Sequence, residues 1–514
     1  MANKRVTNTI LNSSFASISQ FIILIFAFIT RTFFIRILGA EYLGFDALFS
    51  NILSVLSIVD LGIGTALNFS LYKPMHEQDK EKVAAIIQYF KKLFYGLGAL
   101  LLLLSLLITP FIGYLVKDIG NNLIYMQKVF FLYAIMTFST YFFVDCRTLY
   151  FSSQQNYKVL VYDFIAKILV KILQVILLMN YPSYLIYLGI EIITNLIINL
   201  LMKKKAMKEF SYVYERKYQL LAKDKKVIFN DVKYLSLGKI ASVGIASTDS
   251  LIISKYIGTA SLGAYSNYWL ITGAAAGLVG SFTNGIVASL GDLFAENDKE
   301  KISFTFNLYN FITFQSSAFF LVAILSLIQP FMYLWLKGDL LLDRYIIGVV
   351  VFNSAFGIMW NSIKNVIQTK GLFRKDLPIQ LTQVALNLIF SLILVQRLGM
   401  VGVFLGTTIS QIIAYIMQVH LVSNEVIKSN LFSLLFQQMK YGIIAIIQLF
   451  LIYTLIDTLF VEYTIINLIL RGLLVVLLFG LTEFLIYRKN NNFKACLNTA
   501  LGIIKKFREL QVNK

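Results

Sequence analysis

Apolar runs long enough to cross a bilayer as helices recur along almost the whole of this 514-residue chain, and no other feature restricts its fold so severely. A helix rises about 1.5 Å per residue, so about 20 residues cover a hydrocarbon core about 30 Å thick. Inside lipid every backbone N–H and C=O must find its partner within the chain, which leaves helices and closed barrels, and runs of this length are helical. Fourteen spans can be drawn: 11–37, 43–68, 92–115, 122–145, 159–179, 183–202, 234–256, 262–290, 303–334, 343–363, 377–396, 400–421, 441–459 and 463–487. They leave short loops and no room for a globular domain outside the membrane. The expected fold is an all-α integral membrane protein.

Composition enters through charge. Only 14% of residues are charged, where a soluble domain carries about 25%. The net charge of +19 lies in short segments between apolar runs and not in a compact basic domain, which points to membrane orientation and away from nucleic acid. Alternate segments, beginning with the N-terminus, hold 34 of the 46 Lys and Arg, so both termini are expected on the cytoplasmic side. The N-terminal run lacks a small-residue cleavage site and reads as a retained first helix. Cys146, Cys496, His76 and His420 are too few for a disulfide framework or a metal cluster, so no cofactor is expected. The chain has no G-x-x-x-x-G-K-[ST] loop, no H-E-x-x-H and no G-x-S-x-G, which argues against an enzyme.

The chain repeats itself. Gly39 and Gly44, in IRILGAEYLG, have counterparts 219 residues later in Gly258 and Gly263, in SKYIGTASLG. At an offset of 217, Arg147 matches Lys364, and Tyr157-Lys158 matches Arg374-Lys375. Six helices separate the copies, so the second copy enters the membrane in the same direction as the first, and paired lobes of this kind enclose a central path. The expected organisation is an N-lobe over 1–202, a basic cytoplasmic segment over 203–233, a C-lobe over 234–422, two appended helices over 423–487 and a basic tail over 488–514. Gly39 suits an abrupt turn with positive φ, and Gly44 a close backbone approach.

Charges inside apolar spans are the main functional signal, because each costs at least about 2.5–3.5 kcal/mol when it faces lipid. Span 5 places Asp163, Lys167 and Lys171 on one helical face by their i, i+4 spacing. Arg31 lies in the outer half of span 1, with a rigid fork suited to phosphate oxygens. Asp46, Glu191, Lys239, Asp249, Lys255 and Arg471 are further intramembrane charges, and Asn267, Tyr268 and Trp269 form a polar stretch in span 8. Each set has two readings, a salt-bridge or helix-interface network on the one hand and the lining of a hydrated path on the other. A duplicated, net-basic interior suits a cargo with an anionic, hydrated head and a lipid tail.

The stretch RTFFIRILGAEYLGFDALFSNILSVLSIVDLGIGTA (31–66), its echo DSLIISKYIGTASLGAY (249–265) and RTLYFSSQQNYK (147–158) carry a resemblance over essentially the whole chain. The sequence resembles the polysaccharide-biosynthesis flippases for O-antigen, capsule and exopolysaccharide repeat units, a branch of the multidrug/oligosaccharidyl-lipid/polysaccharide exporter superfamily. The resemblance implies two six-helix lobes plus two helices in a bacterial cytoplasmic membrane. It also implies outward flipping of undecaprenyl-pyrophosphate-linked repeat units by alternating access. Arg31, Lys167, Lys171 and Lys255 are the matching candidates for binding the anionic headgroup. Asp46, Asp163, Glu191, Lys239, Asp249 and Asn267 are cavity or coupling candidates, the latter toward a sodium or proton gradient or the membrane potential. The implied partners are a polyprenyl-pyrophosphate-linked glycan, membrane lipids, and a polysaccharide polymerase with its assembly proteins. Ion-coupled export of small amphipathic or cationic compounds, and flipping of lipid II or teichoic-type precursors, are the alternatives.

Overall fold

A computed structural model describes residues 2–498 except 58–62, 65–66, 68–69, 72–73, 76, 118–121, 154, 222–224, 226–242, 245–246, 297–298 and 428–429. Side chains of 2–18 and 281–300 also lie outside the description. Described helices occur in each of the fourteen expected spans, with no strand among the described residues, so the protein is an all-α membrane protein. Nine described helices are individually long and apolar enough to cross a membrane. The difference has these causes: the second span is a helix of only 17 residues, the fifth carries three charges, spans 11 and 12 form one interrupted helix, and spans 7 and 8 lie partly outside the description.

The chain forms two compact units, Met1–Gly263 and Ala264–Lys514. In the first, α1 (Ala2–Leu38) turns at Gly39 into α2 (Ala40–Leu56). Then come α3 (Lys80–Ile108), capped by the Asp79 carboxylate accepting from the Lys82 N–H at 2.9 Å, and α4 (Leu123–Thr140). A 3-10 turn leads to α5 (Val144–Ser152), followed by α6 (Asn156–Asn180), α7 (Tyr184–Glu209) and the single turn α8 (Ser211–Tyr214). Helix α6 packs between α1 and α7, and α4 between α3 and α7. Residues 247–256 are helical and belong to this unit.

Both repeated glycine turns have the conformation expected of them. Gly39 has φ 96° and Gly258 φ 130°, the left-handed region that L side chains avoid. The close approach at Gly44 has a more specific partner than the returning helix. A Cβ on Gly44 would lie 1.9 Å from the Thr259 carbonyl oxygen, and one on Gly263 would lie 2.1 Å from that of Ala40. The two copies of the turn therefore pack backbone to backbone, reciprocally.

The start of the basic segment after α7 is strapped to α3. The Gln88 amide donates to the carbonyls of Val213 (2.7 Å) and Arg216 (2.6 Å), and its oxygen accepts from the Tyr218 N–H at 2.9 Å. Beneath the strap the buried Asp145 carboxylate accepts from the Tyr214 hydroxyl at 3.3 Å, with Lys91 and Lys203 each 3.8 Å away. Loss of water and the neighbouring Asp145 charge both push the Tyr214 phenol up from its ordinary value.

The second unit comprises most of α9 (Thr259–Glu296), then α10 (Lys299–Leu336), α11 (Arg344–Thr369), α12 (Phe373–Val422), α13 (Leu431–Leu459) and α14 (Ile465–Tyr487). Helix α12 is broken at Gly399 (φ 56°, ψ −134°), and a Cβ on Gly402 would lie 2.2 Å from the Leu394 carbonyl oxygen, so its two halves fold back into close contact. The last two helices pack on α10 through Ala318, Val322, Ile452, Ile456, Val475 and Phe479. Arg471 in α14 is buried and donates to the carbonyls of Ser326 (3.3 Å) and Phe460, with Asp457 at 3.6 Å.

The duplication is visible in the ion pairs of each unit. Lys158 at the start of α6 meets Glu209 at the end of α7 at 2.6 Å, and Lys375 at the start of α12 meets Glu425 just beyond its end, also at 2.6 Å. The positions are related by offsets of 217 and 216 residues. Lys375 is exposed and Glu425 sits at the edge of exposure, so solvent screens that pair strongly. Glu425→Gln is expected to lower the unfolding free energy by less than about 1 kcal/mol, a near-unchanged thermal unfolding curve being the check.

Candidate functional site

The intramembrane charges of the first unit separate into two networks. The first gathers Arg31 of α1, Asp46 of α2, Tyr133 of α4, Lys171 and Gln174 of α6, and Tyr184, Tyr187 and Glu191 of α7. Half-buried Arg31 lies within electrostatic reach of Asp46 and Tyr187. The Asp46 carboxylate accepts from the Tyr133 hydroxyl and, at 3.5 Å, from that of Tyr184, and the two hydroxyls are 2.9 Å apart. Lys171 donates to the Gln174 side-chain oxygen at 3.2 Å, and the Gln174 amide donates to Glu191 at 2.9 Å. The Lys171 ammonium also stands 6.0 Å above the Tyr187 ring, and Phe34 packs edge-on against Tyr184 and Tyr187. Two cations and two carboxylates thus share one aromatic-walled cluster.

Helix geometry shows which surface this cluster serves. On α1, Phe21, Ile25 and Ile29 are exposed along one stripe, and on α6 Ile165, Leu169, Ile172 and Ile176 form another. Such large exposed apolar stripes face lipid. At about 100° per residue, Lys167 lies about half a turn from the α6 stripe and Arg31 about a third of a turn from the middle of the α1 stripe. Lys167 is nevertheless exposed, so α6 has a second accessible face, and this one carries a cation.

The second network is structural. Arg147 grips Asp163 with both guanidinium nitrogens at 3.0 and 2.6 Å and donates to Asn199 at 2.8 Å, tying α5, α6 and α7 together. The Asp163–Lys167–Lys171 stripe therefore divides, with Asp163 committed to Arg147. Charge-assisted hydrogen bonds of this kind contribute about 1.5–3 kcal/mol, so Asp163→Asn is expected to lower stability by that order, measured as a shift in thermal unfolding of the purified protein.

The remaining candidates lie elsewhere. Lys255 is exposed, 5.8 Å above the Tyr256 ring. Asp249 is half-buried in the helical residues 247–256, and Lys239 lies outside the described residues. Asn267 is fully buried in the second unit. Beside it the Tyr268 hydroxyl donates to Gln329 at 2.8 Å and accepts from the Leu342 N–H at 3.1 Å, while Trp269 is exposed. Sequence reasoning missed Tyr133, Gln174, Tyr184 and Tyr187, which carry no formal charge. The i, i+3 spacing of Lys171 and Gln174 and of Tyr184 and Tyr187 was the available signal.

No family model and no curated protein matches the chain. Solved structures do. The lipid II flippase MurJ in an inward closed conformation aligns with a TM-score of 0.70 at 17% identity, covering 92% of this chain and 98% of that one. A multidrug resistance MATE family transporter of the MOP superfamily, inward-facing, aligns at 0.60 and 16% identity over 76% and 92% of the two chains. A MOP superfamily transporter from Pyrococcus furiosus, described as having a binding pocket of reversed polarity, aligns at 0.52 and 16% over 80% and 92%. At these identities the likeness is one of fold, and the fold is that of MOP superfamily transporters.

Proposed function

We propose that the protein moves a lipid-linked, phosphate-bearing glycan precursor across the membrane without changing it chemically. Undecaprenyl-pyrophosphate-linked oligosaccharide repeat units are the preferred cargo. The observation that supports this most directly is Lys167 opposite the lipid-facing stripe of α6 and Arg31 turned away from that of α1, with Lys171 beside them. Arg31 offers a planar fork to phosphate oxygens, and Lys167 a point charge at an accessible surface. The aromatic wall of Phe34, Tyr184 and Tyr187 supplies flat faces and hydroxyls to a sugar. The lipid tail stays in the bilayer, so only the polar head needs a hydrated surface, which removes the largest desolvation cost. Alternating exposure of that surface to the two membrane faces completes the cycle, with both termini cytoplasmic and a polymerase receiving the product. Proteoliposomes carrying a polyprenyl-pyrophosphate oligosaccharide test it. Protein-dependent transfer of the glycan to the opposite leaflet is expected, and equal transfer in empty liposomes rejects the role.

Asp46 and Glu191 support a second reading, ion-coupled export of small cationic amphiphiles, because two carboxylates in the same cluster attract cations as well. Gradient-dependent dye efflux from the same vesicles, unaffected by the lipid-linked glycan, is the result that favours it.

A further inference from the structure

A polar seam runs between the two halves of α12. On the first half Asp376, Gln383, Asn387 and Ser391 are all buried, at spacings that keep them on one helical face, with half-buried Gln380 in the same row. The second half presents Thr407, Ser410, Gln411 and Gln418. Asn387 donates to Thr407 at 2.8 Å and Ser391 to the Val403 carbonyl at 3.0 Å. The buried Gln411 oxygen has no hydrogen-bond partner among the described residues. From Asp376 to Ser391 the row covers about 22 Å at 1.5 Å per residue, most of a hydrocarbon core. It ends where a Cβ on Gly406 would meet Ser391 at 2.4 Å, so the two halves are in close contact at the end away from Asp376.

Asp376 anchors the seam. Its carboxylate oxygens accept from the Gln418 amide at 2.6 Å and the Gln380 amide at 2.5 Å, both neutral donors. Lys364 of α11 lies within electrostatic reach of the Asp376 carboxylate, and the other charged groups on the elements around it have engagements elsewhere. Lys364 of α11 stands 3.8 Å above the Trp360 ring, Lys375 pairs with Glu425, Arg374 is exposed, and His420 lies beside Asn424. Buried Tyr415 is the nearest phenol on the second half of the helix. The matched place in the first unit differs: 217 residues earlier than Lys364 and Gln380 stand Arg147 and Asp163, joined as a direct ion pair.

We propose that Asp376 is a proton-binding site at the head of this polar row that cycles between its charged and neutral forms. The two amides make both forms tolerable. The Trp360 indole can only donate, and it donates to the Gln418 oxygen at 2.7 Å, so the Gln418 N–H must face Asp376 in either state. Gln380 has no such constraint. On protonation of the oxygen facing it, a flip of the Gln380 amide turns a donor into an acceptor for the new O–H. The proton comes from water at the exposed first turn of α12, where Arg374 and Lys375 lie, and returns to it, so no other reactant is needed.

The test needs no cargo and is separable from the flippase reading. Infrared difference spectra of the purified protein, taken across a pH series, are expected to show a carboxylic-acid C=O band that titrates, disappears in Asp376→Asn and survives in Asp376→Glu. With the Gln380 amide flipped, asparagine accepts from Gln418 and donates to Gln380, so its thermal unfolding stays at the wild-type temperature while the band is lost. Identical titrating bands in wild type and Asp376→Asn would overturn the proposal, because Asp376 would then be a permanently charged clasp between helices.

Discussion

Replacing Gly44 by alanine is expected to leave little folded protein. The added methyl would sit 1.9 Å from the Thr259 carbonyl oxygen and 2.6 Å from its carbon, and backbone atoms have no rotamer by which to retreat. The helix starts at Ala40 and Thr259 would have to separate, and overpacking of this severity costs about 3 kcal/mol or more, a large share of a marginal stability. Gly263→Ala should fail for the reciprocal reason, its methyl meeting Ala40. Gly442, which has no atom within 4 Å of an added Cβ, is the control, and there alanine is expected to be neutral or slightly stabilising. Yield of monodisperse protein and thermal unfolding measure all three. A Gly44→Ala protein that unfolds at the wild-type temperature would show that the two turns do not meet in the folded protein.

The second large effect concerns cargo. Arg31→Ala is expected to cut the translocation rate about tenfold to a hundredfold, as loss of a charge-assisted contact of about 1.5–3 kcal/mol requires. Arg31→Lys should recover part of the rate, since it restores charge without the planar fork. Tyr133 and Tyr184 continue to hold Asp46 in the alanine variant, so the protein should still fold. Lys167 offers the cleaner comparison because its side chain is exposed, and Lys167→Ala should weaken translocation with no stability change. Full glycan transfer by an Arg31→Ala, Lys167→Ala double variant would remove the basis for an anionic headgroup at this surface.

The crossings were legible because hydrophobic length is a local property, read from each run without knowing its neighbours. So were the glycine turns, whose positive φ is a requirement of one residue. The pairing of charges was not. Asp163 shares a helical face with Lys167, yet its partner is Arg147, which the sequence places near the end of another crossing. Asp145, two residues before Arg147 and only 4% exposed, escaped attention because a carboxylate near a helix end ordinarily meets water. The hydroxyls around Asp46 come from two separate stretches, and only packing brings Tyr133 and Tyr184 to one oxygen. Arg471 stood out as a charge in an apolar run, but its chief partners are backbone carbonyls, which no side-chain pattern can announce.

The Gln88 amide has a further consequence for the basic segment it holds. Arg216 and Lys217 are exposed and chemically ideal for trypsin, yet the peptide around them is pinned at Val213, Arg216 and Tyr218 by a single side chain. A protease needs an extended, released strand, so cutting there must wait for the segment to lift. Nicking at this point becomes a clock for local opening, and Gln88→Ala should make it run faster while the helices beneath remain intact.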